Sequence, residues 1–89
     1  MEIYLEEYFG LECPHCQRMQ ELSKKVEKEI GITINRFEVW HNYENMKKVE
    51  ELDPKNECGG VPFFINKKTG KTLCGEVSEE EIKNWALGK

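Results

Sequence analysis

Cys13-Pro14-His15-Cys16 is the segment of this chain whose residue types and spacing can do chemistry. Two thiols three positions apart can close a small disulfide, supply half of a metal site, or exchange electrons with another disulfide. The flanking elements decide between these. The residues before the motif read as a strand and those after it as a helix, which puts Cys13 at a helix N-terminus. Unpaired backbone N–H groups and the helix macrodipole favour negative charge there. A sulfur held as thiolate is the attacking species in disulfide exchange. A cationic His15 adds a second positive influence. Cys16 lies one turn further in and is the less exposed thiol. The residues therefore predict Cys13 as the attacking and Cys16 as the resolving cysteine.

The elements that position these thiols follow from apolar spacing. From Glu2 to Phe9, Ile3, Leu5 and Phe9 fall on one face and Tyr4 and Tyr8 on the other. Large groups on both faces predict an interior strand. From Pro14 to about Glu29, Cys16, Met19, Leu22, Val26 and Ile30 recur every three or four positions and make one helical stripe. Pro14 suits the first helical position and Gly31 the C-cap. Ile32 to Trp40 reads as a second strand, with Ile32, Ile34, Phe37 and Val39 inward, and Tyr43 to Leu52 as a short helix ended by Asp53-Pro54. Val61 to Ile65, a turn over Asn66 to Gly70, and Lys71 to Cys74 predict a hairpin. Ser78 and Glu81 match a capping box, and Val77 and Ile82 a hydrophobic staple, for a last helix docked by Ile82 and Trp85. The order is βαβ, a short helix, then ββα. It predicts an α/β fold with a four-stranded mixed sheet and three helices on both faces. The first two strands are parallel through a right-handed crossover.

The chain has 89 residues, which supports one domain spanning 1–89. Thirteen Lys and Arg face seventeen Asp and Glu, for a net charge of -4. That balance argues against nucleic acid as a partner, which needs a basic face. No apolar run reaches the roughly 18 residues of a membrane span. The opening MEIYLEEYFG has early acids and no basic segment, so a cytoplasmic location is expected. In a reducing compartment, four cysteines are more often catalytic or metal-binding than structural.

The segments YFGLECPHC, GGVPFFIN and CGE together resemble the thioredoxin superfamily, in its small thioredoxin- or glutaredoxin-like branch, over essentially the whole chain. The resemblance implies a thioredoxin-like fold and a thiol-disulfide oxidoreductase acting through Cys13 and Cys16. Its partners would be protein dithiol or disulfide substrates and a reductase or other electron donor. A monomer without an organic cofactor or metal is expected. Val61-Pro62 is similar to the family's cis-proline position, where Gly60, Val61 and Pro62 present backbone to an incoming peptide strand. Pro14-His15 matches the dipeptide of the oxidising periplasmic members. It predicts a couple more oxidising than the roughly -270 mV of thioredoxin.

Glu7 lies six residues before Cys13 on the interior strand, where burial should raise its pKa. By resemblance it is the candidate acid/base for Cys16, with Arg36 on the neighbouring strand as its partner. The plainer reading makes Glu7 solvent-facing, like Glu2 and Glu6. Cys58 and Cys74 are expected as two buried, apolar thiols. A second disulfide between them requires Cα atoms within about 7 Å. Two other functions stay open: a cysteine-based zinc or iron–sulfur module, and a glutathione-dependent glutaredoxin. Glu12 before the motif and the acids Glu76, Glu79, Glu80 and Glu81 disfavour the anionic tripeptide. Trp40, His41 and Tyr43 are expected to form a small apolar edge.

Overall fold

The first strand, β1 (Leu5–Phe9), is buried along nearly its whole length because the chain covers both of its faces. The computed structural model describes residues 4–89, so Glu2 and Ile3 lie outside the described residues. After β1 come α1 (Pro14–Ile30), β2 (Asn35–Glu38), α2 (Tyr43–Leu52), β3 (Phe63–Asn66), β4 (Thr72–Cys74) and α3 (Glu79–Leu87). The strand order is β2-β1-β3-β4. β1 runs parallel to β2, with Glu7 opposite Arg36, and antiparallel to β3, with Tyr8 opposite Phe63. β4 closes the hairpin with Cys74 opposite Phe63. The result is a small α/β fold on a four-stranded mixed sheet.

Strand alternation divides the apolar residues between two cores. Leu5 and Phe64 face one side, where Met19 and Val26 of α1 and Ile82, Trp85 and Ala86 of α3 pack on them. Tyr8, Phe63 and Ile65 face the other side, against Val39, just past β2, and Val49 of α2. One face thus carries α1 and α3 and the other α2. Tyr8 stacks on Phe37 at 5.1 Å between centroids, and Phe64 meets Trp85 edge-on at 5.4 Å.

The helix ends follow their sequence signals. Ser78 and Glu81 form the reciprocal capping box of α3, and Gly31 caps α1 in the left-handed conformation at φ 68°. Asn66 is buried at the hairpin end. Its side chain donates to the Trp85 carbonyl at 2.9 Å and accepts from Lys68 and Thr69 N–H, tying the turn to α3.

Three expectations are corrected in detail. β2 spans only Asn35–Glu38, because β1 offers partners only from Glu6 to Phe9. Ile34 and Val39 are buried just outside the ladder, and Ile32 is half-buried. β3 starts at Phe63 rather than Val61, since Pro62 has no N–H to donate. Glu6 is buried rather than solvent-facing, because its carboxylate accepts the Tyr8 hydroxyl at 2.8 Å.

Candidate functional site

The loop between β1 and α1 is closed by a Cys13 N–H to Gly10 carbonyl bond of 3.1 Å. That turn brings Cys13 to the N-cap of α1 in extended conformation, with Pro14 in the first turn. The Cys16 N–H donates to Cys13 Sγ at 3.1 Å. Cys13 thus caps its helix with sulfur where a serine or aspartate would use oxygen. Both thiols are free. Cys16 is fully buried and Cys13 is 4% exposed, so the expected order of exposure holds by a narrow margin. Burial pushes the Cys16 thiol up to about 12, with Cys13 and the Glu7 charge adding to the rise and the Gly10 backbone opposing it.

Beneath the thiols, Glu7 is completely buried. Ser23 donates to its Oε1 at 2.7 Å and Arg36 Nε donates to the same oxygen at 3.1 Å. Arg36 also reaches Ser23 at 2.8 Å and Glu27 at 2.6 Å. Glu7 Oε2, by contrast, is the one buried side-chain oxygen or nitrogen without a partner among the described residues. Desolvation raises the Glu7 pKa, and Ser23 and Arg36 only partly offset it. The solvent-facing alternative for Glu7 is overturned.

His15 and Pro14 are exposed on the first turn of α1. His15 Nδ1 lies 3.2 Å from Glu76 Oε1, and Arg18 bonds the same carboxylate. Arg18 and His15 hold the Glu76 carboxyl below the usual carboxylate range. The segment after β4 is therefore fastened to the helix that carries the motif. On the other side of the sheet end, the Val61–Pro62 peptide is cis. Pro62 is buried, Gly60 is exposed, and Pro62 O accepts from Gly75 N–H at 2.9 Å.

An apolar surface borders the motif. Leu11 is 60% and Trp40 49% exposed. The Trp40 indole lies on Gly10 so closely that a Cβ there would fall inside the ring's contact envelope. Phe9 is half-buried beneath this surface. His41 pairs with Glu12 at 2.7 Å, which raises the His41 pKa. Glu38 accepts backbone N–H bonds from Leu11, Trp40 and His41. Glu12, Glu38 and His41 are the one group of three candidate metal ligands among the described residues, and their mutual bonds and the backbone account for it.

Cys58 and Cys74 correct the expectation most clearly. They are not buried thiols: they form a disulfide, with Cα atoms 5.5 Å apart, Cys74 exposed and Cys58 half-buried. The hairpin register put Cys74 opposite Phe63, but the loop that carries Cys58 back to β4 left no local signal. This bond removes two of the four thiolates that a tetracysteine zinc site needs. Sequence reasoning also missed Ser23, whose signal is a polar residue on the buried stripe of α1, and the grip of Glu76 on Arg18 and His15.

Among the described residues, no helix is long and apolar enough to cross a membrane. No protein-family model, no curated protein and no solved structure matches the chain.

Proposed function

We propose that the chain is a thiol-disulfide oxidoreductase of thioredoxin-like architecture, acting on protein dithiols and disulfides in the cytoplasm. One observation carries the reading: Cys13 Sγ is the N-cap of α1 and accepts the Cys16 N–H at 3.1 Å, while Cys16 is sealed one turn below. The parallel β1–β2 pair followed by the antiparallel β3–β4 hairpin supports the thioredoxin-like assignment.

Cys13 thiolate attacks one sulfur of a substrate disulfide. A mixed disulfide forms and the other substrate sulfur leaves as thiolate. Cys16 then attacks Cys13 Sγ, the mixed disulfide breaks, and the second substrate thiolate is released. Cys16 must lose its proton for this step. We assign that proton to Glu7, whose charge bears on the Cys16 thiol and whose Oε2 is unpartnered while Ser23 and Arg36 hold Oε1. The loop of Gly60, Val61 and Pro62 offers backbone to the substrate chain, and Leu11 and Trp40 offer apolar contact. His15 beside Cys13 favours the reduced form and so an oxidising couple.

Protein substrates are favoured over glutathione because Arg18 and His41, which could receive its carboxylates, are already paired with Glu76 and Glu12. A metal-binding module is disfavoured by the Cys58–Cys74 bond. The test is catalysed reduction of insulin disulfides. Turnover is expected in the wild type and none in Cys13→Ser; equal rates in both would overturn the proposal.

A further inference from the structure

The Cys58–Cys74 disulfide plays no part in the chemistry above, yet it sits at the same end of the sheet. The C-terminal end of β1, the N-terminal end of β3 and the C-terminal end of β4 meet there, through Tyr8 opposite Phe63 and Phe63 opposite Cys74. Cys74 is therefore two strand spacings from β1, or about 10 Å across the sheet. Three consecutive residues tie this end together. Cys74 binds Cys58 covalently, Gly75 N–H donates to Pro62 O, and Glu76 holds Arg18 and His15. The first two grip the loop before β3 and the third grips the first two turns of α1.

The bond is accessible and its mechanical reach is local. Cys74 lies exposed on the edge strand, and a cleft of about 420 Å³ between Leu52, Asp53, Lys55, Phe63 and Thr72 opens onto both sulfur-bearing residues. Residues 62–66 are buried, and Phe63–Asn66 pair with β1 on one side and with β4 on the other, so the crosslink is not what holds the hairpin. Residues 55–57, 59 and 60 are exposed; Asp53 accepts the Asn56 N–H on its carbonyl and the Glu57 and Cys58 N–H groups on its carboxylate, which ties the start of the loop but not Gly59 and Gly60. Cutting the bond would free this loop and leave the ladder intact.

We propose that Cys58–Cys74 is a second redox-active site, reducible in the folded protein by dithiols, whose state sets the reactivity of Cys13. A dithiol's thiolate attacks Sγ of the exposed residue Cys74. The Cys58–Cys74 bond breaks, and its electron pair leaves on Cys58 Sγ, which takes up a proton. The second thiol of the reductant then attacks the mixed disulfide and releases Cys74 as a thiol. The reductant ends as a disulfide, and the protein has gained two electrons and two protons. The exposed loop ahead of Pro62, freed from its covalent tie to β4 while Pro62 stays bonded to Gly75, changes the surroundings of Cys13. The link to Cys13 chemistry rests on the oxidoreductase reading; the reducibility of Cys58–Cys74 does not.

The test uses the full chain carrying Cys16→Ser, equilibrated in dithiothreitol buffers of graded poise. Trapped thiols are counted by alkylation and peptide mass, while far-ultraviolet circular dichroism follows the fold. Cys58 and Cys74 are expected to become alkylatable together, with the dichroism unchanged. The rate of Cys13 alkylation by iodoacetamide is expected to change severalfold across the same transition. Cys58→Ala/Cys74→Ala in the same background should show the reduced-state rate at every poise. Loss of the dichroism signal together with reduction would make the bond structural and overturn the proposal, as would a Cys13 rate indifferent to it. Insulin turnover measured alongside separates the readings: an inactive wild type that still shows both changes removes the proposed function and leaves this site standing.

Discussion

Two cysteine pairs occupy one end of this sheet and end in opposite states. Cys13 and Cys16 are free, buried and one helical turn apart. Cys58 and Cys74 are bonded, sixteen residues apart, and lie on an exposed edge. The first pair is brought together by local backbone: a loop ends, a helix begins, and spacing alone brings one sulfur to the other's N–H. The second is brought together by tertiary structure, through the β3–β4 register and the loop that returns from α2. The difference teaches that spacing in sequence predicts a thiol pair only when both cysteines sit in one regular element.

Breaking the first pair should have the largest effect. Cys13→Ser is expected to abolish insulin reduction, whereas Cys58→Ser/Cys74→Ser should keep the fold and a turnover altered only severalfold; assays on both variants place the chemistry at one pair. Next comes Glu7→Gln. A neutral amide cannot take the Cys16 proton, so release of the mixed disulfide should slow, read by stopped-flow decay of a substrate adduct. Its effect on stability has a defined sign. Glu7 has a folded pKa raised above the ordinary 4.5, so its favourable share is complete below that value and is lost as pH rises through the raised folded pKa. The stability of wild type relative to Glu7→Gln should therefore fall across that window in urea titrations.

Gly10→Ala sharpens the comparison from the packing side. The methyl meets the Trp40 ring, and displacing it should cost about 1–3 kcal/mol; Trp40→Ala should relieve most of that, as denaturant midpoints of the two variants and their double would show. Opposite shifts in the Cys13–Cys16 potential are expected from His15→Ala, downward, and Glu76→Gln, upward, each by tens of millivolts. Ser78→Ala gives the smallest effect on the site: it should lose about 1 kcal/mol of stability with the capping box and leave the potential unchanged.

Much of this was readable in the residues. Apolar groups on both faces of β1 marked it as central, Pro14 and Gly31 marked the ends of α1, and Ser78 with Glu81 marked the start of α3. Arg36 is expected on the strand beside Glu7, and the register sets the two opposite each other. What stayed hidden depends on paths that leave no periodic signal. Asn56, Gly59 and Gly60 all take positive φ, and that course, not any motif, delivers Cys58 to Cys74. Glu6 looked solvated because its partner, the Tyr8 hydroxyl, lies two residues on along the same strand face. Ser23 carries no signal of its own, because its role depends on Glu7 from another element accepting its hydroxyl.

The most direct measurement is the site of the covalent adduct when Cys16→Ser is mixed with a disulfide substrate and the complex is digested and weighed. The account predicts one substrate sulfur bound to Cys13. An adduct on Cys58 or Cys74, or none at all, would contradict it.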